Sequence, residues 1–360
     1  MKLLYITNGI TGSGGLERVL SVKASMLAED FGYEVHVLSL NEVGKEPFFP
    51  FSNKVQQHSI TVTGNPIQYF LHYKKGIQKV VDKFKPDLIS VCDDGLKGFF
   101  VPRLISTNAK WIYERHVSKL IENSGEQNIF LSLKMKSKWK MMEYLAKNFS
   151  KFVVLTEGNC AEWSTLKNLI VIGNPLPFTA EKAADLEEKI VICVGKISYQ
   201  KGQDLLLQIW EKVAAKHPEW QLHLYGNENK QFLNTDRLPD NVSYFPATKN
   251  LKSIYSNSSI YVMSSRFEGF GMVLIEAMEF GVPCVSFDCN YGPSDIITDN
   301  EDGFLIENGD IVSFANQIIA LIENTYLRKK MGEKAQENVQ RYSAKKIVFK
   351  WNKLFNELTK

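Results

Sequence analysis

Short runs rich in Val, Ile, Leu and Tyr alternate along the chain with longer stretches in which apolar positions recur at helical spacing. That alternation predicts βαβ units around parallel sheets. In the first half the pattern predicts strands at 2–8, 34–40, 87–92, 110–114, 151–155 and 169–172, with helices near 15–30, 66–84, 95–106 and 131–148. It then restarts after Gly173-Asn-Pro-Leu-Pro and a charged, Ala-rich stretch at 179–189 that reads as a linker. New strands are expected at 189–194, 220–225, 241–245, 259–263 and 283–288, and late helices at 311–324 and 326–342. The last stretch, 344–360, carries Ile347, Phe349, Trp351, Leu354, Phe355 and Leu358, enough apolar surface for a terminal helix that packs on something.

The simplest account is an α/β chain of two doubly wound, Rossmann-like domains, 1–173 and 174–343, with 344–360 packing back on the first. Ligands of such sheets sit outside the carboxyl ends of the strands, so two domains facing each other would make the cleft between them the expected site.

Composition narrows the class. The 360 residues are 44% hydrophobic and 23% charged, which is globular rather than disordered. With 43 Lys+Arg against 40 Asp+Glu the balance is too near neutral for a dedicated nucleic-acid binder. The charge is uneven, however: residues 1–173 are at +6 and residues 174–360 at −3. Cysteines at 92, 160, 193, 284 and 289 are odd in number and free of CxxC, the pattern of reduced thiols in a cytosolic protein rather than of a disulfide framework or zinc site. The opening Met1-Lys-Leu-Leu-Tyr-Ile-Thr-Asn-Gly reads as a buried strand, too short in apolar run for a signal-peptide core. No stretch of 18 uncharged apolar residues predicts a spanning helix.

Two segments carry candidate chemistry. Gly12-Ser-Gly-Gly-Leu-Glu-Arg follows the first strand and opens a helix, where Gly14 and Gly15 would let amides approach a phosphate. It matches neither a dinucleotide fingerprint nor a P-loop, and taken alone it serves equally as a glycine turn. The second segment is Ser264-Ser-Arg-Phe-Glu-Gly-Phe-Gly-Met-Val-Leu-Ile-Glu-Ala-Met-Glu-Phe-Gly-Val-Pro. Glu268 sits in its glycine-rich loop, and Glu276 follows eight positions later inside a helix beginning near Gly271. A loop carboxylate can accept from sugar hydroxyls, and a helix carboxylate can hold a cis-diol such as ribose. Between them the amides of Phe270, Gly271 and Met272 lie at a helix N-terminus that favours a diphosphate. The alternative, two solvated acids, sits badly with Val273, Leu274 and Ile275 beside Glu276, because an acid in so apolar a stretch needs a partner.

The segment resembles the Glu-x7-Glu motif of the family-four retaining glycosyltransferases, which have the GT-B fold of two facing Rossmann-like domains. The likeness continues through Pro283-Cys-Val-Ser-Phe-Asp-Cys-Asn-Tyr-Gly-Pro-Ser-Asp-Ile-Ile and Asp302-Gly-Phe-Leu-Ile-Glu-Asn-Gly-Asp. It implies a metal-independent enzyme without cofactor that moves a hexose or N-acetylhexosamine, with retention, from a nucleotide diphosphate sugar, UDP-sugars favoured. The implied acceptor is a saccharide or lipid-linked glycan of bacterial surface polysaccharide synthesis. Lys196 and Lys201, in Val194-Gly-Lys-Ile-Ser-Tyr-Gln-Lys-Gly, fall where the family places a basic pair that steadies the departing diphosphate; Lys196 stands where Arg is commoner. Glu268 is implied at the donor sugar, Glu276 at the ribose, and His116, in Trp111-Ile-Tyr-Glu-Arg-His, on the acceptor side, where Arg115 or Glu114 could instead face the sugar.

Asp93-Asp94 lacks the Asp-x-Asp form of a metal-dependent transferase, and no metal is expected. The basic stretch 131–150 sets Lys134, Lys136, Lys138, Lys140 and Lys147 against Met135, Trp139, Met142, Leu145 and Phe149. It suits either an anionic membrane surface, making the enzyme peripheral on the inner face of the cytoplasmic membrane, or a core-facing stripe with a solvated basic back. Two other classes remain: a nucleotide-sugar epimerase of the same architecture, turning over donor without acceptor, and a non-catalytic nucleotide-sugar-binding module. The full Glu-x7-Glu segment opposes the first and the retained Lys196, Lys201, Glu268 and Glu276 the second.

Overall fold

The computed structural model describes residues 1–122 and 129–360. It divides into two compact units, Met1–Pro177 with Ala344–Lys360, and Phe178–Ser343. The division falls after Pro177 and not after Gly173.

In the first unit, β1 (Lys2–Thr7), β2 (Glu34–Leu40), β3 (Gln56–Ile60), β4 (Leu88–Cys92), β5 (Lys110–Glu114), β6 (Lys151–Val154) and β7 (Leu169–Val171) form a parallel sheet in the order β3-β2-β1-β4-β5-β6-β7. In the second, β8 (Ile190–Val194), β9 (Gln221–Tyr225), β10 (Val242–Phe245), β11 (Ile260–Met263), β12 (Cys284–Asp288) and β13 (Gly303–Glu307) run parallel in the order β10-β9-β8-β11-β12-β13. Central strands are buried on both faces, β4 and β11 along their whole length, which is why they read as continuous apolar runs. The sequence pattern does not predict two of the strands. The segment Gln56-Gln-His-Ser-Ile pairs only with β2 at the sheet edge and is half exposed, while β13 begins at the glycine of Asp302-Gly303.

Local signals explain the helices. Pro66–Phe84 opens with Pro at its first turn behind Asn65, whose side chain caps the Ile67 and Gln68 amides while Gln68 reaches back to the Asn65 amide. Its buried residues, Tyr73, Ile77 and Val81, recur every fourth position and face the sheet. The core there is aromatic: the Phe99 ring lies 4.2 Å from Tyr113 and 6.0 Å from both Phe152 and Trp163.

Two helices bear on the sequence reading. The terminal helix Ala344–Thr359 lies against Gly15–Glu29: the Trp351 ring sits 4.0 Å from the Lys23 ammonium, and the Tyr33 hydroxyl donates to Asn352 at 2.8 Å. In helix Ile129–Ala146 and the turn after it, Met142, Leu145 and Phe149 are buried in the core with Trp139 packed against them. The apolar stripe thus faces inward. The solvent side carries Leu133, Met141 and Tyr144 among Lys134, Lys136, Lys140 and Lys147, and the side chains of 131 and 132 lie outside the described residues. Among the described residues no helix is long and apolar enough to cross a membrane.

Because Phe99 is fully buried among four rings, Phe99→Ala should destabilise the first unit by about 3–5 kcal/mol, read as a lowered urea midpoint.

Candidate active site

In the second sheet the chain leaves β8 for β9 on one side and returns as β11 on the other. The loops following β8 and β11 therefore emerge side by side at a topological switch point, where open α/β sheets bind ligands. They are joined by several bonds. Arg266 N donates to Gln200 O at 2.8 Å, Gln200 Nε2 to Phe267 O at 3.3 Å, and Ser264 Oγ to Lys201 O at 3.1 Å. The Arg266 guanidinium forks onto Asp204 at 2.8 and 2.6 Å and lies 4.2 Å over the Tyr199 ring. Gly202 starts the next helix at φ +65°, so close to Ser264 O that a Cβ would collide with it.

This junction brings together two of the expected site residues. Lys201 Nζ pairs with Glu268 Oε1 at 2.7 Å, and the same oxygen accepts from Ser265 Oγ at 2.6 Å. The Glu268 backbone is pinned on both sides, donating to Asn290 O at 2.7 Å and accepting from Tyr291 N at 3.0 Å. Burial works against the Lys201 ammonium, yet the Glu268 carboxylate outweighs it and holds that lysine above its ordinary pKa. Burial pushes the neighbouring Cys193 thiol up to about 12, so it offers no thiolate nucleophile at neutral pH.

Gly271, at φ +100°, caps helix Met272–Glu279, and its carbonyl accepts from the Leu274 amide at 2.9 Å. Phe270 is buried edge-on against Tyr342. Glu276, on that helix, is 1% exposed and accepts from the Tyr255 hydroxyl at 2.9 Å, the partner its apolar setting demanded. Lys196 is exposed at the start of the β8 loop; its carbonyl accepts from Gln203 Nε2 at 3.1 Å.

The first unit repeats the topology, with the switch between β1 and β4. Asn8 Nδ2, after β1, donates to Asp93 Oδ1, after β4, at 2.9 Å. Gly14 caps helix Gly15–Glu29 in an extended conformation, and Glu17 folds back over the loop so closely that a Cβ on Gly14 would sit 2.6 Å from its Oε2. Glu42 takes the Ile10 and Thr11 amides at 2.8 and 3.2 Å. The expected phosphate cradle at Gly14 and Gly15 is thus lined by a carboxylate. Burial raises the Glu17 pKa, and Glu42 adds to the effect.

His116, two residues past the end of β5, is not a solvated loop residue: its side chain is 6% exposed. Its Nε2 lies 3.3 Å from Glu114 Oε2, and its backbone N donates to Asp94 Oδ1 at 3.2 Å. Glu114 is itself fully buried, ion-paired to Lys23 and accepting from Ser90 Oγ at 2.6 Å. Burial alone would raise this carboxyl, but Lys23 and His116 overcome it and lower its pKa from 4.5 to about 2. Cys92, Glu114 and His116 offer ligand atoms within 4.8 Å of one another, a spacing that could hold a metal, but the Lys23 ammonium already supplies the cation. Asp93, also buried, is satisfied by Asn8 and by the Gly95 amide at 2.8 Å.

Sequence reasoning missed Lys23, Ser265, Tyr255 and Arg266. The signal for Lys23 was present: it shares the buried stripe of its helix with Val19, Leu20, Ala24 and Leu27.

The depressed Glu114 pKa gives a pH signature. The ionised carboxylate contributes stability that is present above the unfolded value and is lost as pH falls from about 4.5 toward 2. On the order of 3 kcal/mol should disappear across that window in the wild type. The charge-free double variant Lys23→Met/Glu114→Gln should lack this component in urea midpoints measured from pH 6 to pH 2.

Comparison with known proteins places these features in a family. Residues 178–338 match the family described as glycosyl transferases group 1. An uncharacterized glycosyltransferase of Haemophilus influenzae is 30% identical over 368 residues, covering 97% of this chain and 98% of that protein. The amylovoran biosynthesis glycosyltransferase AmsD of Erwinia amylovora is 31% identical over 375 residues, covering 99% of each. Among solved structures, a point variant of TarM from S. aureus, in complex with fondaparinux, α-GlcNAc-glycerol and UDP, superposes with a TM-score of 0.79 at 19% identity, covering 99% of each chain. The two doubly wound units are those of a GT-B fold, and the chain belongs to the group 1 glycosyl transferases.

Proposed function

We propose that this transferase moves a hexose or N-acetylhexosamine, with retention of anomeric configuration and without a metal, from a UDP-sugar to a saccharide or lipid-linked acceptor of a bacterial surface polysaccharide. The observation that carries the reading is the Lys201–Glu268 pair at the switch point of the second sheet, beside the N-terminus of helix Met272–Glu279. Cation, carboxylate and helix terminus are the three groups needed to hold a diphosphate and a hexose together.

In this reading Lys201 turns from Glu268 to the diphosphate as the donor enters, joined by Lys196 and the amides of Phe270, Gly271 and Met272. Glu268, released from its ion pair and kept oriented by Ser265, accepts from the sugar hydroxyls. Glu276 takes the ribose diol, with Tyr255 fixing its rotamer. His116 serves the acceptor side. The Glu17 carboxylate close to Gly12 and Gly14 supports a hydroxyl-bearing group at that loop over the phosphate expected from its glycines.

Support for the substrate class comes from the relatives: AmsD acts in amylovoran biosynthesis, and TarM was solved with UDP. Support for a peripheral membrane position is the solvent side of helix Ile129–Ala146, where Leu133, Met141 and Tyr144 stand among lysines.

Calorimetry with UDP, GDP and ADP tests the donor site. UDP should bind selectively, Glu276→Ala should weaken it roughly 10- to 100-fold, and Lys201→Ala should mainly lower turnover, by about 10²–10³. Wild-type affinity and rate in both variants would sink the site assignment. For the membrane position, changing Lys134, Lys136, Lys138 and Lys140 together to Gln should reduce sedimentation with phosphatidylserine-containing vesicles, and unchanged or absent sedimentation would reject it.

A further inference from the structure

The first unit contains a chain of buried contacts that joins helix Gly15–Glu29, the end of β5 and the terminal helix. Lys23 projects from helix Gly15–Glu29 into the interior, where its ammonium is 1% exposed. It pairs there with Glu114, at the end of β5, and is covered on its other sides by the faces of Tyr5, at 4.9 Å, and Trp351, at 4.0 Å. Trp351 belongs to the terminal helix Ala344–Thr359, distant in sequence from everything else at the site.

Both oxygens of Glu114 are committed. Oε1 accepts from Ser90 on β4, and Oε2 faces Lys23 and, at 3.3 Å, His116 Nε2. An ionised carboxylate can only accept, so the His116 nitrogen facing it must carry the proton. The neutral ring then has its lone pair on Nδ1. That atom is buried and has no hydrogen-bond partner in the protein. Were the ring uncovered, that nitrogen would accept from a hydroxyl, the group a sugar acceptor offers.

We propose that Glu114 is a positioning residue that fixes the orientation and tautomer of His116, and that Lys23 and Trp351 hold Glu114 in place, so that the terminal helix helps set the acceptor-side histidine. The hydroxyl contact rests on the transferase reading; the tautomer and its dependence on Trp351 do not. A buried ion pair is a poor device for stability alone, since apolar groups of similar volume serve as well or better. It is a good one for giving a carboxylate a single orientation. Among the described residues, Glu17 on the first helix and Cys92 and Asp94 at the end of β4 also lie near His116, and Arg115 pairs with Asp94.

The test reads the ring directly, in the full-length protein labelled with ¹⁵N-histidine. Long-range ¹H–¹⁵N correlation spectra at a pH where His116 is neutral give the tautomer, with His116→Asn supplying the assignment among the six histidines. The wild type should show the Nε2–H form. Trp351→Leu, which removes no charge, and the charge-neutral Lys23→Met/Glu114→Met should each shift the His116 nitrogens toward a mixture of tautomers and leave the other histidines in place. If the double variant does not fold, Trp351→Leu carries the test. An Nδ1–H ring in the wild type, or His116 nitrogens unchanged in a folded Trp351→Leu protein, overturns the proposal. UDP calorimetry on the same samples keeps the two readings apart. A wild type that binds no UDP but shows the expected tautomer and its response to Trp351→Leu would reject the transferase reading and leave the positioning chain standing.

Discussion

The parallel pairing of β8 with β11 is the constraint on which the Lys201–Glu268 pair depends. Lys201 and Glu268 are distant in sequence, and only the crossover that returns the chain to the far side of β8 sets their loops next to each other. Once adjacent, the loops are held in register by backbone bonds and by the Arg266 fork on Asp204, so the ion pair is preformed. Forming it compensates the desolvation of both charges.

The first unit uses the same topology for a different electrostatic task. Its loops at the carboxyl ends of β1, β2, β4 and β5 carry Glu42, Asp93, Asp94 and Glu114, joined by Glu17 from the first helix, and most of these acids are satisfied internally by amides, Asn8, Lys97, Arg115 or Lys23. Where the second unit presents a cation backed by an acid, the first turns Lys23 and Arg115 inward onto the acids of this rim. The excess of positive charge over residues 1–173 is therefore not at this rim; part of it is the lysine-rich solvent side of helix Ile129–Ala146.

Much of this was legible in sequence, for a physical reason. A strand covered on both faces must be apolar throughout, so β1, β4, β8 and β11 announce themselves. An edge strand need not be, and Gln56-Gln-His-Ser-Ile shows no run at all. Glu268 and Lys201 stood out as candidates because they sit in short loops with glycines around them, and Glu276 because an acid among Val273, Leu274 and Ile275 needs a partner. Lys23 was not, because a lysine is assigned to solvent by default, and only its place in the stripe of Val19, Leu20, Ala24 and Leu27 says otherwise. The stripe on helix Ile129–Ala146 had two readings because amphipathicity fixes which face is apolar and not what covers it. The core covers Met142 and Leu145, and Phe149 just beyond the helix joins them there.

The glycine loop after β1 shows how one side chain changes what a motif can bind. Glycines at a helix N-terminus suit any anion that can reach the amides, and Gly12 to Gly15 alone would be a phosphate site. Glu17, one turn into the helix, reaches back into that space with its own carboxylate, and Glu42 already takes the Ile10 and Thr11 amides. A diphosphate brought there would meet two carboxylates in a partly buried setting, where like charges are poorly screened. A sugar hydroxyl would meet acceptors instead. The positive end of the helix is thus spent on an internal acid. The two sheets differ in charge at their switch points: a lysine paired with an acid between the loops after β8 and β11, and carboxylates around the loop after β1.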